Sequence, residues 1–198
     1  KYDRDFDDIF SLHDELAEKI GEVLLEKLVP EQIKKLQTNL PRNSKAYDLF
    51  LKGKHLHWNA YRTGGKKQAD FEKSEQFFLQ AIQSDVTYAL AHAGLADLYD
   101  THIGTMRTRK DAAGEIKYMA LSKQSSDLAF RLNPDLFYVN TIRGYVQVAQ
   151  EEYHEAFRCF LKGINLSLNN PESLYGLQYV YRVLGLHLDA IQIGNHMR

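Results

Sequence analysis

Apolar side chains recur every three or four positions along most of this chain, which is the spacing of one face of an α-helix. The pattern is clearest in residues 74–99, where small and large residues alternate within two stripes separated by a break at residues 84–85. The stripes are Ser74, Phe78 and Ala81, and then His92, Leu95, Ala96 and Tyr99. A small residue lets a neighbouring helix approach and the large one fills the remaining space, so the stretch predicts two closely packed helices.

The periodicity divides the chain into an N-terminal helical segment and a longer series of alternating helices. An apolar stripe over residues 9–28 predicts one helix, and Pro41 begins a turn with Asn43 or Ser44 as helix N-cap. We therefore place the main boundary between residues 43 and 44. Beyond it the pattern predicts helices over 45–61, 70–83, 87–103, 112–132, from 136, 153–168, from 172 and 188–198. Enlarged loops are predicted near 59–67 and 104–112.

A period of 34 residues runs through the second part of the chain. Small residues recur at this spacing at Ser122, Ala156 and Ala190. Phe160 follows Ala156 by four residues, as Phe78 follows Ser74. The pattern resembles the tetratricopeptide repeat. The resemblance implies an all-α fold, an α-α superhelix of tetratricopeptide-type helix pairs, preceded by an N-terminal helix. Residues 44–198 then hold about three full repeats and a truncated fourth.

The match to the repeat is imperfect at positions that can be named. In the first helix of a repeat, His92 and Leu174 stand where the family prefers Trp, and Gln178 stands where it prefers a small residue. In the second helix, Ser126 and Gly194 stand where the family prefers Phe. Val86 stands where the family usually has Pro. The spacing from Ser74 to Ser122 is 48 residues, which we interpret as extra residues in the loop after Ile103. An unrelated α-bundle with the same pair spacing is the alternative.

A second resemblance involves the N-terminal part. Residues 2–28, together with the stretches 43–58 and 88–99, resemble the C-terminal half of certain microbial regulators. Those proteins carry an adenylate-cyclase or winged-helix DNA-binding module, then a TolB-like domain, then tetratricopeptide repeats. The resemblance implies that residues 1–43 end an upstream domain or linker. It also implies a role in signalling or transcription, with the catalytic and DNA-binding modules outside this chain.

Tetratricopeptide arrays align their first helices along a concave groove that receives an extended peptide or a helix. The resemblance implies that the following residues line such a groove: Tyr47, Phe50, Lys54, His57, Trp58, Asp97, Asp100, Thr101, Tyr138, Thr141, Tyr145, Glu172, Tyr175, Tyr179 and Arg182. Aromatic rings with isolated charges between them suit peptide capture. The alternative for several of the tyrosines is that they pack within the superhelix.

Some members of the family bind the C-terminal carboxylate of a peptide through Lys and Asn at set groove positions. Here Phe50, Gly94 and Ile142 occupy places where that clamp needs polar or basic groups. We therefore do not expect this chain to bind chaperone tails.

Two groups of potential metal ligands do not have the arrangement that metal binding needs. The first is an acidic stretch spaced like part of a calcium loop: Asp3, Asp5, Asp7 and Asp14. Its turn position holds Asp8 where glycine is needed, so we interpret the stretch as an acidic helix start. The second is His55 and His57, which point in divergent directions on a helix. No metal site, cofactor or catalytic residue is predicted.

Composition narrows the class of partner. The formal net charge of −1 gives no reason to expect binding to nucleic acid. No apolar run approaches the roughly 18–20 residues that span a bilayer, so no membrane association is predicted. The single Cys159 excludes an internal disulfide, and a start at Lys1 suggests an excised fragment. We predict a cytoplasmic location, or a periplasmic one if the parent protein spans a membrane.

These observations favour a non-catalytic scaffold that binds a protein or peptide in a concave groove, as part of a larger regulator. The alternative is a self-association module that pairs two regulator chains as a homodimer. It is motivated by the last helix pair, which ends without a polar capping helix. No polar constellation supports an enzyme.

Overall fold

The computed structural model describes residues 43–62, 68–167 and 170–186, with only the backbone for residues 60–62. Within these ranges the chain forms seven α-helices and no strand: α1 (Ser44–Arg62), α2 (Gln68–Ser84), α3 (Ala89–Arg109), α4 (Ala112–Leu132), α5 (Phe137–Ala149), α6 (Tyr153–Leu166) and α7 (Pro171–Val183). The predicted all-α fold class is confirmed. Asn43 is the N-cap of α1, because its Oδ1 accepts a hydrogen bond from the backbone N–H of Lys45 at 3.0 Å.

Each helix packs on its neighbours in a repeating way. The helices form the pairs α1–α2, α3–α4 and α5–α6, and the second helix of each pair also contacts the first helix of the next pair. The first helices contact one another in series, α1 with α3, α3 with α5, and α5 with α7. The first helices therefore share one continuous face, which we call the first-helix face.

A phenylalanine of α2 fills the space between two first helices. Phe78 is fully buried, and a Cβ added to Gly53 of α1 or Gly94 of α3 would come within 2.8 or 2.5 Å of its ring. These distances are too short for carbon atoms, so only glycine fits at either position. Ser74, also fully buried, donates a hydrogen bond to the carbonyl of Gly53 at 2.8 Å. The stripe at residues 74–81 is therefore structural, as its small and large residues predicted.

The same arrangement recurs where α6 packs on α7. Where α4 packs on α5, the large and the small residue exchange places. Phe160 of α6 packs directly against Gly176, sixteen residues later in the chain, which repeats the spacing from residue 78 to residue 94. Where α4 packs on α5, these two positions hold Ser126 and Ile142, and Ile142 packs against Ala96 of α3. A large side chain on the first helix thus accompanies a small one on the second, which keeps the interior filled.

The second pair differs from the sequence prediction. Helix α3 continues to Arg109 instead of ending near Ile103, and only residues 110–111 separate it from α4. Ile103 and Met106 are buried, and the Arg107 side chain contacts the Glu115 carboxylate at 2.7 Å. The free energy gained from this packing exceeds the cost of about 1 kcal/mol for having Gly104 within a helix. The predicted loop at 104–112 was therefore wrong, and the extra residues lengthen the helices instead.

A buried polar network joins the start of α7 to α5. The Asn170 side chain caps α7 by accepting a hydrogen bond from the backbone N–H of Ser173 at 3.2 Å, and its amide donates to the Thr141 hydroxyl at 2.9 Å. The hydroxyl oxygens of Thr141 and Ser173 are 2.6 Å apart. All three residues are buried, so their polar groups depend on one another for hydrogen bonds.

We expect Asn170→Ala to lower the free energy of unfolding by about 2 kcal/mol, because it removes an N-cap and leaves a buried hydroxyl short of a donor. Urea denaturation followed by circular dichroism measures the change. Asn133→Ala is the matched control, since Asn133 accepts its hydrogen bond in an exposed turn. An equal loss in both variants would contradict the role assigned to the buried network.

Several sequence predictions concern residues outside the described ranges. They include the N-terminal helix, most of the loop near 59–67, and the helix over 188–198 with Ala190. The boundary between residues 43 and 44 separates the described helices from that N-terminal segment, so it too is untested. These stay predictions.

Candidate functional site

Five predicted groove residues contact one another on the first-helix face. The Tyr138 hydroxyl of α5 donates to Oδ2 of Asp97 on α3 at 3.0 Å, and the ammonium group of Lys54 on α1 lies 4.1 Å from the centre of the Tyr138 ring. Nδ1 of His57 lies 3.6 Å from the same Asp97 oxygen, and its Nε2 lies 3.1 Å from the Thr101 hydroxyl. We call these residues the polar cluster. They bring three helices together at one place.

The polar cluster also changes the chemistry of its tyrosine. Burial, followed by the negative charge of Asp97, raises the pKa of Tyr138 well above its usual value. Tyr138 therefore remains a neutral hydrogen-bond donor, and Asp97 is the acceptor.

Asp100 lies one helical turn beyond Asp97 on α3. Its Oδ1 is shielded from solvent and has no hydrogen-bond partner among the described residues, although the residue as a whole keeps some exposed surface. Burial, and then the carboxylate of Asp97, raise the pKa of Asp100 to about 7, while Arg107 acts in the opposite direction. Asp100 therefore carries a carboxyl group whose charge is poorly compensated.

Besides His57 of the polar cluster, which is 7% exposed, two predicted groove residues are buried. Thr141 is 1% exposed and belongs to the hydrogen-bond network with Asn170. Phe50 is 5% exposed, and its ring centre lies 5.7 Å from Tyr88 and 6.0 Å from Phe78. Both side chains are engaged in the packing of the helices, so we leave them out of the proposed groove.

Two further tyrosines are half-buried and help to join helices. Tyr47 packs against the core cluster around Phe78. The Tyr145 hydroxyl donates to the backbone carbonyl of Glu172 at 2.7 Å, and its ring stands edge-on to Phe160 at 5.1 Å. The alternative of structural packing therefore describes these two residues well.

The remaining predicted groove residues are exposed. Tyr175 and Tyr179, one turn apart on α7, expose 58% and 42% of their surface. Glu172 and Arg182 lie exposed near the two ends of the same helix. Trp58 of α1 exposes 59%. Accessible aromatic surface is thus present on both α1 and α7.

Groups for metal binding or covalent chemistry are not assembled in the part of the chain described. No set of three or more His, Cys, Asp and Glu side chains there could hold a metal ion. Burial is the main cause that raises the pKa of the Cys159 thiol to about 11, which leaves it protonated and unreactive at neutral pH. No helix among the described residues is both long and apolar enough to cross a bilayer.

Sequence reasoning missed Arg107, the basic residue that acts on Asp100. A signal was available, because residues 100 and 107 are two helical turns apart and share a face of any continuous helix. The signal was lost when the stretch after Ile103 was interpreted as a loop. Sequence reasoning also could not show that Tyr138 contacts side chains from both α1 and α3.

Solved structures provide the comparison with known proteins. The NMR structure of the first TPR domain of human RPAP3 has a TM-score of 0.53 and 17% identity, covering 73% of this chain and 96% of that one. The first TPR of Spaghetti (RPAP3), bound to the HSP90 peptide SRMEEVD, has a TM-score of 0.51 and 19% identity, covering 72% and 95%. A thermophilic TPR protein of Thermus thermophilus has a TM-score of 0.58 and 20% identity, covering 73% and 72%.

Sequence comparison adds no closer relationship. No family model matches the chain, and no curated protein does. At 17–20% identity the structural likeness establishes the fold alone. The described part of the chain has the tetratricopeptide-repeat fold, an all-α superhelix of repeated helix pairs.

Proposed function

We propose that this chain is a non-catalytic interaction scaffold that binds an extended segment of a partner protein along the first-helix face. The observation that carries the proposal is the pair Tyr175 and Tyr179, which expose 58% and 42% of their surface on one side of α7. Tyrosine rings supply a large contact area at a low cost in conformational entropy, and such residues dominate the energy of many interfaces. The adjacent polar cluster supplies hydrogen-bonding groups on the same face.

The fold supports this proposal. A structurally similar TPR domain is bound to the HSP90 peptide SRMEEVD. The mode of recognition differs here, however, because the positions that a carboxylate clamp requires are occupied by Phe50, Gly94 and Ile142. Phe50 and Ile142 are buried, and a Cβ on Gly94 would collide with Phe78. The proposed ligand is therefore an internal segment of the partner, recognised by its side chains.

The experiment that tests the proposal selects binders from a random dodecapeptide library on the immobilised full chain. The best binder is then measured by fluorescence anisotropy. We expect Tyr175→Ala combined with Tyr179→Ala to weaken binding by about tenfold or more, because the variant removes two exposed rings. Melting temperature should change little, since both side chains are exposed.

Ile116→Ala is the matched control for this experiment. Ile116 exposes 69% of its surface on α4, a second helix, so its loss removes exposed apolar area away from the first-helix face. Equal affinity of the double tyrosine variant and the unaltered chain would overturn the assignment to α7. Failure to select any peptide would overturn the proposed function.

Other parts of the proposal concern the parent protein. We propose that the scaffold belongs to a larger signalling or transcription regulator in the microbial cytoplasm. Self-association remains the second candidate, and light scattering over a range of concentrations tests it. A monomer at every concentration would contradict self-association and leave peptide binding as the function.

A further inference from the structure

Asp97 and Asp100 place two carboxyl groups one turn apart on the first-helix face of α3. Oδ2 of Asp97 already accepts a hydrogen bond from Tyr138 and lies 3.6 Å from His57. Oδ1 of Asp100 has no hydrogen-bond partner within the described ranges and is shielded from solvent. A buried acceptor without a partner is costly, and most such groups in proteins find a donor.

The surrounding charges do not neutralise this pair. Arg107 is the basic residue that acts on Asp100, but its Nε is 2.7 Å from an oxygen of Glu115. Lys54 lies over the ring of Tyr138. Arg107 is thus shared with Glu115, and Lys54 is engaged with an aromatic ring. Among the described residues, no basic side chain forms an ion pair with the Asp100 carboxyl group.

We infer that Asp97 and Asp100 receive a basic side chain, arginine or lysine, of the peptide bound on the first-helix face. This inference rests on the proposed function and names the residue class that the groove selects. The guest cation donates to the Asp100 carboxyl and lies beside Asp97. It supplies the hydrogen-bond donor and the positive charge that the site lacks.

An organic cation fits this site better than a metal ion. A guanidinium or ammonium group needs few acceptors and brings several N–H donors, whereas Ca²⁺ takes about six to eight oxygen ligands. The described residues provide no such set of ligands. The last side-chain torsion of an aspartate has a broad, roughly two-fold preference, so rotation of the Asp100 carboxyl group can turn either oxygen toward the exposed part of the side chain.

The test uses four dodecapeptide libraries on the full chain, each with one central residue fixed as Arg, Lys, Gln or Glu. We expect the Arg and Lys libraries to yield binders about ten- to a hundredfold tighter than those from the Gln library. Comparison of the affinities from the Arg and Lys libraries identifies which cation is preferred. Asp100→Asn should remove the preference for Arg and Lys over Gln.

Asp135→Asn is the matched control, because it removes the same formal charge from an exposed turn and should leave the preference intact. Equal affinities from the Arg, Lys and Gln libraries would overturn this inference while leaving the proposed function standing. A preference that survives in both Asp100→Asn and Asp97→Asn would overturn it as well. If no library yields a binder, the proposed function fails and this inference fails with it.

Discussion

Phe78→Ala should lower the free energy of unfolding by about 3–5 kcal/mol, the range for removal of a fully buried phenylalanine. The ring lies between Gly53 and Gly94, and neither glycine has a side chain that could move into the cavity. The loss should therefore fall in the upper part of that range. Urea denaturation at a fixed temperature measures it.

A double substitution makes this prediction specific. The contact between α4 and α5 has Ser126 and Ile142 at the positions equivalent to Phe78 and Gly94. Gly94→Ile alone should destabilise the chain, because its Cβ would already lie 2.5 Å from the Phe78 ring. Phe78→Ser combined with Gly94→Ile should be more stable than the sum of the single changes predicts.

A double-mutant cycle measures the coupling between these two positions. Additive changes in the free energy of unfolding would contradict the idea that the large side chain can come from either α2 or α3. The control is Leu79→Ser combined with Gly94→Ile, because Leu79 is adjacent in sequence but 48% exposed. The effects of that pair should be additive.

Asp100→Asn should stabilise the chain at alkaline pH and have little effect at acid pH. The pKa of Asp100 is raised from 3.8 to about 7 on folding, so the folded state binds a proton that the unfolded state has released. The stabilising contribution of protonated Asp100 is complete below about pH 4 and is lost as pH rises through about 7. A difference of about three pH units corresponds to at most about 4 kcal/mol.

Unfolding by urea at about pH 4 and about pH 8 tests this prediction. The unaltered chain and the variant should differ little at the lower pH, and the variant should be clearly more stable at the higher one. Asp135→Asn should show no such dependence, since its carboxylate is 77% exposed. A stability difference that is the same at both pH values would contradict the burial of Asp100.

The sequence predicted the repeat well and its second pair poorly, for a physical reason. The periodic stripe at Ser74, Phe78 and Ala81 records local geometry, and all three side chains are fully buried as expected. The end of α3 depends on tertiary contacts instead. Gly104 and the polar residues after it indicate a loop when only local propensity is considered, but burial of Met106 against the neighbouring helices extends the helix.

For the candidate site, too, local pattern predicted some features and tertiary contacts decided others. The family resemblance implied that Asp97, Asp100 and Tyr138 share one face, and the structure brings Asp97 and Tyr138 into contact. The prediction for Thr141 did not account for its hydroxyl, which has buried hydrogen-bond partners at the start of α7. When groove residues are assigned from their position within the repeat, the assignment gives a place on a helix. It does not show whether the side chain of a neighbouring helix covers that place.

The sequence by itself determined the helical class, the repeat and the alternation of small and large residues, because these depend on spacing along one helix. Tertiary structure alone decided which side chains remain exposed and which carboxyl lacks a partner among the described residues, because three different helices meet around Asp97 and Asp100. Helix α1 supplies His57, α3 supplies the acids, and α5 supplies Tyr138. Their distances depend on how the helices stack, and this is information that no periodic pattern contains.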